Sequence, residues 1–183
     1  WRGGRAADCR RLESARGATL RGFKSLPRRV SVALILVDVA WIVGSSVAVG
    51  ATAPRWPAAW VSRDRFPVCR WPGESPQLYR RLGVSRFANR LPEGGASFGG
   101  RSKAAMGGSS VADLRQHLAE VRRAEWVHWW SIALSVVIAL FNPLWLTVAF
   151  VVAVALGNLP FLLVLRNNRL RIARAVEWRA AST

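Results

Sequence analysis

The stretch EWVHWWSIALSVVIALFNPLWLTVAFVVAVALGNLPFLLVLR, residues 125–166, decides how this chain folds. Between Glu125 and Arg166 it carries no acidic or basic side chain except His128, and Asn142-Pro143 is its single break. Proline disfavours helix at the residue before it, so the pattern predicts one helix over 111–141 and a second over 143–165. Both outer ends are basic and the corner is apolar, which describes a helical hairpin dipped into a bilayer with its ends on one side. The positive-inside rule makes that side cytoplasmic. The first arm has only about 16 apolar residues, so the hairpin either spans the bilayer or re-enters it.

The rest of the charge agrees with this reading. All 27 Lys and Arg fall in residues 1–30, 55–123 and 166–183, and none lies in 31–54 or 124–165. A bilayer imposes such segregation, because an Arg at mid-membrane costs roughly 2.5–3.5 kcal/mol on insertion scales. A net charge of +17 would otherwise suggest nucleic acid, but a chain 51% hydrophobic with ten Trp does not fit a nucleic-acid domain. The basic residues are expected to border anionic membrane lipids, with no nucleic-acid partner. Cys9 and Cys69 are isolated thiols that imply neither a zinc site nor a disulfide framework.

Upstream, SVALILVDVAWIVGSSVAVGAT (31–52) is long enough to cross a bilayer, as a signal-anchor or as a signal peptide cleaved near AVGATA. Its flanks are both basic, which leaves its orientation open. Asp38 lies inside it, either as a functional carboxyl or as a helix-packing one. Residues 53–110 read as a polar connector at the headgroup layer, with prolines and Trp in RWPAAWVSRDRFPVCRWPG. An amphipathic helix is expected at SPQLYRRLGVSRFANRL, with Leu78, Leu82 and Phe87 on its apolar face. A flexible loop follows, in which GASFGGRS approaches a phosphate-loop pattern without the strand that motif requires. Residues 1–29 are expected to be a disordered basic tail or upstream sequence, and 175–183 a polar tail. The fold class is therefore all-α: a small integral membrane protein with an N-terminal transmembrane helix, an interfacial connector and a C-terminal hairpin, its membrane domain spanning 30–174.

Folding the hairpin at 142/143 pairs residues by counting. His128 lies fourteen residues before Asn142, and fourteen after Pro143 comes Gly157, next to Asn158. An imidazole and an amide thus reach similar depth on facing helices. Pro160 leaves the Leu156 carbonyl without its helical partner. Glu125 and His128 are three apart on one face, where a carboxylate can orient an imidazole as a general base. Arg166, Asn168 and Arg169 suit phosphate or carboxylate groups. Simple alternatives exist for each: His128 can snorkel, Arg122 and Glu125 can form a surface ion pair, and His117 can join His128 at a metal, although no carboxylate set supports that.

RRAEWVHWWSI followed by NLPFLLVLRNNRLR resembles the glycosyl-4,4'-diaponeurosporenoate acyltransferases, the staphyloxanthin-type carotenoid glycoside acyltransferases. That family's (K/R)RAExxHW segment stands here as Arg122, Arg123, Ala124, Glu125, His128 and Trp129. Its N-x-P element and QRYNRxR stand as Asn158, Pro160, Arg166, Asn168 and Arg169, with Leu165 and Asn167 replacing the usual Gln and Tyr. The resemblance extends over roughly residues 30–174.

It implies a multi-pass plasma-membrane O-acyltransferase that moves a fatty acyl group onto a sugar hydroxyl of a carotenoid glycoside or similar glycolipid. Acyl-CoA or another acyl thioester would be co-substrate, with no bound cofactor and no metal. The expected catalytic residues are His128, Glu125 and Asn158, with Asn158 donating to the oxyanion. Arg122, Arg123, Arg166, Asn168 and Arg169 are the expected substrate-binding residues. Partners would be membrane lipids, the lipophilic acceptor and other enzymes of pigment or lipid synthesis. The competing class is a non-catalytic membrane scaffold whose polar residues stitch helices together.

Overall fold

Three long helices carry the architecture, and each contains an apolar run. In the computed structural model, residues 31–62, 65–88, 90–91 and 110–182 are described, all but Ser31 within one compact unit, Val32–Thr183. The basic tail expected at 1–29 and the loop expected to carry GASFGGRS lie outside them. Every regular element among the described residues is helical. Helix α1 is Val32–Thr52, continued by a 3-10 turn at Ala53–Arg55; α2 is Ala58–Val61, α3 Pro76–Arg81 and α4 Val84–Ala88. Helix α5 is Val111–Ser135, with a 3-10 segment Val136–Leu140 at its end, and α6 is Leu144–Ala181. Two of these helices, at Val32–Arg55 and Leu144–Ala181, are long and apolar enough to cross a membrane.

Helix α5 begins at a capping box. Ser110 Oγ accepts from the Asp113 N–H, and the Asp113 carboxylate accepts from the Ser110 N–H, which satisfies two of the orphan donors at that end. Along its apolar half, Ser131 Oγ donates to the Val127 carbonyl (2.9 Å) and Ser135 Oγ to Ile132 (2.7 Å), so both hydroxyls are satisfied within the helix. The hairpin then turns at Phe141–Pro143. The Asn142 N–H donates back to the Ile138 carbonyl at 3.1 Å, and the Pro143 carbonyl accepts from the Leu146 and Thr147 N–H groups. Helix α6 passes through Pro160 without interruption and continues to Ala181. The polar tail expected at 175–183 is therefore helical through 181. RIARAVEWRAA contains strong helix formers and neither Gly nor Pro, so nothing local stops the helix at the membrane surface.

Helix α5 packs against α1 as well as α6. The Trp41 indole N–H donates to the Leu134 carbonyl (3.0 Å) in the last turn of α5. Deeper still, Asn142 Nδ2 donates to Asp38 Oδ1 at 2.8 Å and to the Ile138 carbonyl at 3.0 Å. Asp38 is 1% exposed and Asn142 8%. Of the two readings left open for Asp38, the helix-packing one matches this contact. The hairpin corner meets α1 six residues from its start, about 9 Å along the axis. Around the corner Leu140, Phe141, Leu144 and Trp145 are exposed, as are Leu36 and Val37 of α1, so the apolar surface there faces outward.

The connector differs from its sequence reading. SPQLYRRLGVSRFANRL is two short helices rather than one, because Gly83 adopts a φ of 67°, which ends α3. Tyr79 and Val84 are buried against Val164 and Leu170 of α6, with Phe87 packed beside them. Leu78 and Leu82, expected on one apolar face with Phe87, are instead exposed. With Trp60, Phe66 and Trp71, also exposed, they give the connector an apolar outer surface suited to the headgroup boundary.

Replacing Asn142 by Leu leaves the buried Asp38 carboxyl without its amide donor and should cost about 1–3 kcal/mol. Thermal unfolding in detergent should show Asp38→Leu and Asn142→Leu costing less together than the sum of the two alone, with a coupling of about 0.5 kcal/mol or more.

Candidate active site

Where α6 leaves the apolar zone, its first guanidinium is buried rather than solvated. Arg166 uses all five of its N–H donors: Nε to Glu74 Oε1 (3.0 Å), one terminal nitrogen to Glu125 Oε1 (2.6 Å) and the Pro67 carbonyl (3.1 Å), the other to Glu74 Oε2 (3.0 Å) and the Cys69 carbonyl (2.9 Å). Its plane also lies over the Trp71 ring, 4.2 Å from the centroid. Arg169 completes the cluster, with Nε 3.2 Å from Glu125 Oε2 and a terminal nitrogen 3.6 Å from Glu74 Oε2. Two carboxylates and two guanidiniums balance, and all four residues are at most 5% exposed.

Side-chain direction explains the meeting. Helical side chains lean toward their own N-terminus, so on antiparallel α5 and α6 Glu125 reaches up from the membrane while Arg166 reaches down toward it. Glu74 is brought in by a turn, WPGES, in which Gly73 adopts a φ of 77°. The Glu74 carboxylate also accepts from the Trp71 N–H (3.0 Å) and the Tyr79 hydroxyl (2.5 Å). Burial alone would push the Glu74 carboxyl up, but hydrogen bonds from Arg166, Tyr79 and the Trp71 N–H outweigh it and hold the group below its ordinary value. The same burial and the neighbouring Glu74 charge push the Tyr79 hydroxyl up, which keeps it a donor.

One turn deeper on α5, His128 Nδ1 lies 2.6 Å from Asn158 Oδ1 of α6. The amide is fixed in turn by Asn158 Nδ2 donating to the Val154 carbonyl at 2.8 Å. An amide oxygen only accepts, so the hydrogen of a neutral imidazole sits on Nδ1 and the Nε2 lone pair is bare. Phe161, three residues after Asn158, stacks on the imidazole with centroids 5.1 Å apart and planes 18° from parallel. Above this pair Trp129 and Trp71 approach with ring centroids 6.0 Å apart.

The residues singled out from sequence thus separate into two groups. His128 and Asn158 meet. Glu125 does not orient His128; its carboxylate is taken by Arg166 and Arg169, whose opposite charge outcompetes a neutral imidazole. Asn158 gives one of its two amide hydrogens to the Val154 carbonyl and turns its oxygen to His128 Nδ1, so in the fold it sets the tautomer. Arg166 has no donor left for a phosphate, and Arg169 is buried in the same cluster. Arg122 donates to the Ser62 carbonyl (3.0 Å), tying α5 to the chain just after α2, and Arg123 pairs with Glu120 at 2.5 Å. Asn168 is half-buried on α6. Among the described residues no three His, Cys, Asp or Glu side chains converge as metal ligands. Sequence reasoning missed Glu74, whose signal was a carboxylate in a Trp-Pro-Gly turn within an arginine-rich connector.

Because the Glu74 carboxyl is held low in the fold, its stabilisation is present above the ordinary carboxyl value of 4.5 and is lost as pH falls through the lowered one. Glu74→Gln leaves Arg166 half-compensated and should cost about 3–5 kcal/mol at neutral pH. The gap between wild type and Glu74→Gln in detergent unfolding should stay level from neutral pH to about pH 5 and close below it.

Comparison with protein families places this geometry. The family model of glycosyl-4,4'-diaponeurosporenoate acyltransferase matches residues 57–178, from the connector through both hairpin arms, with α1 outside the matched region. Neither the curated proteins nor the solved structures gave a match. The match covers well over half of the chain, including every residue of the ion cluster and the His128–Asn158 pair, and the chain belongs to the glycosyl-4,4'-diaponeurosporenoate acyltransferase family.

Proposed function

We propose that this protein is a multi-pass membrane O-acyltransferase that uses His128 as a general base to esterify a sugar hydroxyl of a lipophilic glycoside. Family membership supports an acyltransferase acting on a carotenoid glycoside and hence an acyl-donor co-substrate. The reading of its chemistry rests chiefly on the His128–Asn158 contact, which leaves a bare Nε2 beside the headgroup boundary.

The acceptor hydroxyl gives its proton to Nε2 as its oxygen attacks the carbonyl carbon of the acyl thioester. A C–O bond forms, the C–S bond breaks, and the imidazolium returns the proton to the departing thiolate. Asn158 acts as a positioning residue: its oxygen holds the Nδ1 hydrogen and stabilises the imidazolium once Nε2 is protonated. Direct transfer is preferred because the buried hydroxyls of Ser131 and Ser135 donate their hydrogens to helix carbonyls. Glu74, Glu125, Arg166 and Arg169 act through the fold, holding the connector over the two arms. The plasma membrane is the proposed location, with the connector and the basic ends of the arms on the cytoplasmic face, where an acyl-CoA is available.

His128→Ala, checked for insertion and folding, should lose about 100-fold or more in transfer to a glycoside acceptor. Asn158→Leu should fold, retain residual activity and show an altered pH profile, because the imidazole loses its fixed tautomer. Wild-type rates in a folded His128→Ala protein would refute the assignment.

A further inference from the structure

Among the surface features the chemistry above leaves unused, the Trp71 indole is the most thoroughly built. It is 41% exposed, yet three of its sides are held. Its indole N–H donates to the Pro67 carbonyl at 3.1 Å, Arg166 covers one face, and Trp129 abuts it. A Trp of the interfacial belt offers its N–H to headgroups. This one gives its N–H to its own connector, so what it offers outward is ring surface. Trp71 lines an open depression together with Arg70, Pro72, Gly73, Glu74 and Ser75.

We propose that this depression is the subsite for the sugar ring of the glycoside acceptor, with Trp71 as its stacking platform; the proposal deepens the acyltransferase reading and rests on it. A pyranose presents a face of C–H groups, whose positive edges suit the negative face of an indole, and a rim of hydroxyls. The rim has partners here. Arg70 is exposed, and Ser75 Oγ accepts from the Leu78 N–H, which leaves its own hydrogen to donate. Trp129, the residue after His128 on α5, links the platform to the proposed base. A ring laid on Trp71 would sit at the membrane surface while its lipid tail remains in the apolar zone beside the arms. The indole's fixed position means little side-chain entropy remains to be lost on binding, in keeping with a preorganised site.

The experiment compares wild type, Trp71→Phe, Trp71→Ala and Ser75→Ala in phospholipid nanodiscs. An alkyl β-glucopyranoside serves as acceptor and the matching alkyl alcohol as control. Trp71→Ala should raise KM for the glucoside about 10-fold, the loss of one stacking contact, with kcat changed far less. Trp71→Phe, which keeps a ring face, should recover most of it, and the alcohol's KM should not move. Equilibrium binding of a radiolabelled glucoside should follow the same order without turnover. If wild type transfers no acyl group but binds the glucoside through Trp71, the acyltransferase reading fails and the subsite stands. If wild type is active and both KM and binding are unchanged in Trp71→Ala, the subsite is overturned. Equal effects on glucoside and alcohol would also overturn it, assigning Trp71 to membrane anchoring. Should Trp71→Ala not fold, Ser75→Ala carries the test: it should raise KM for the glucoside a few-fold and leave the alcohol's unchanged, and wild-type glucoside binding and KM would overturn the proposal.

Discussion

Everything in this protein depends on how two guanidiniums leave a membrane helix without reaching water. Arg166 follows a run of apolar residues on α6, and its burial is tolerable only because every one of its donors is engaged and two carboxylates oppose the pair. Those partners come from two places: Glu125 from the facing arm, and Glu74 with the carbonyls of Pro67 and Cys69 from the connector. Satisfying one buried charge therefore fixes α5 against α6 and fastens the connector over both. Such a cluster contributes little net stability compared with apolar packing, but it is demanding about geometry. Any other register of the two arms would strand a charge in the interior.

That register is what gives the imidazole its setting. With Glu125 held one turn above, His128 falls opposite Asn158 and Phe161, and the amide's own bond to Val154 decides which way its oxygen points. An uncharged amide is a suitable partner at this depth. It fixes a tautomer without importing a carboxylate into a region where a further buried charge would need a further counter-ion. The division of labour is physical: the ionic groups sit together where water is near and build the frame, and the neutral polar pair sits deeper and is left for chemistry.

Much of the frame was legible in the sequence. The segregation of Lys and Arg and the Asn142-Pro143 break are enough to define the arms, and counting fourteen residues either way from the corner brings His128 to the level of Gly157, next to Asn158. The partner of Glu125 was not legible. Spacing of three on one helix places Glu125 and His128 on a common face, yet it says nothing of a long guanidinium reaching back from the other helix. Glu74 was further out of reach, being 92 residues from Arg166, and its role depends on a turn whose geometry no periodicity encodes. Asp38 posed a similar limit. Its amide partner is 104 residues away, at a corner whose Asn is already explained by the turn. In each case the missing information was a long-range polar contact, which hydrophobic patterning cannot specify.

The account stands most directly on where the imidazole hydrogen of His128 resides. Nitrogen-15 NMR of selectively labelled histidine in the folded, membrane-embedded protein, with His117 replaced to leave one signal, reads this without requiring a substrate. The prediction is a neutral ring with its hydrogen on Nδ1 and a bare Nε2, a preference that collapses in Asn158→Leu. A hydrogen found on Nε2, or a ring whose tautomer ignores residue 158, would contradict the account.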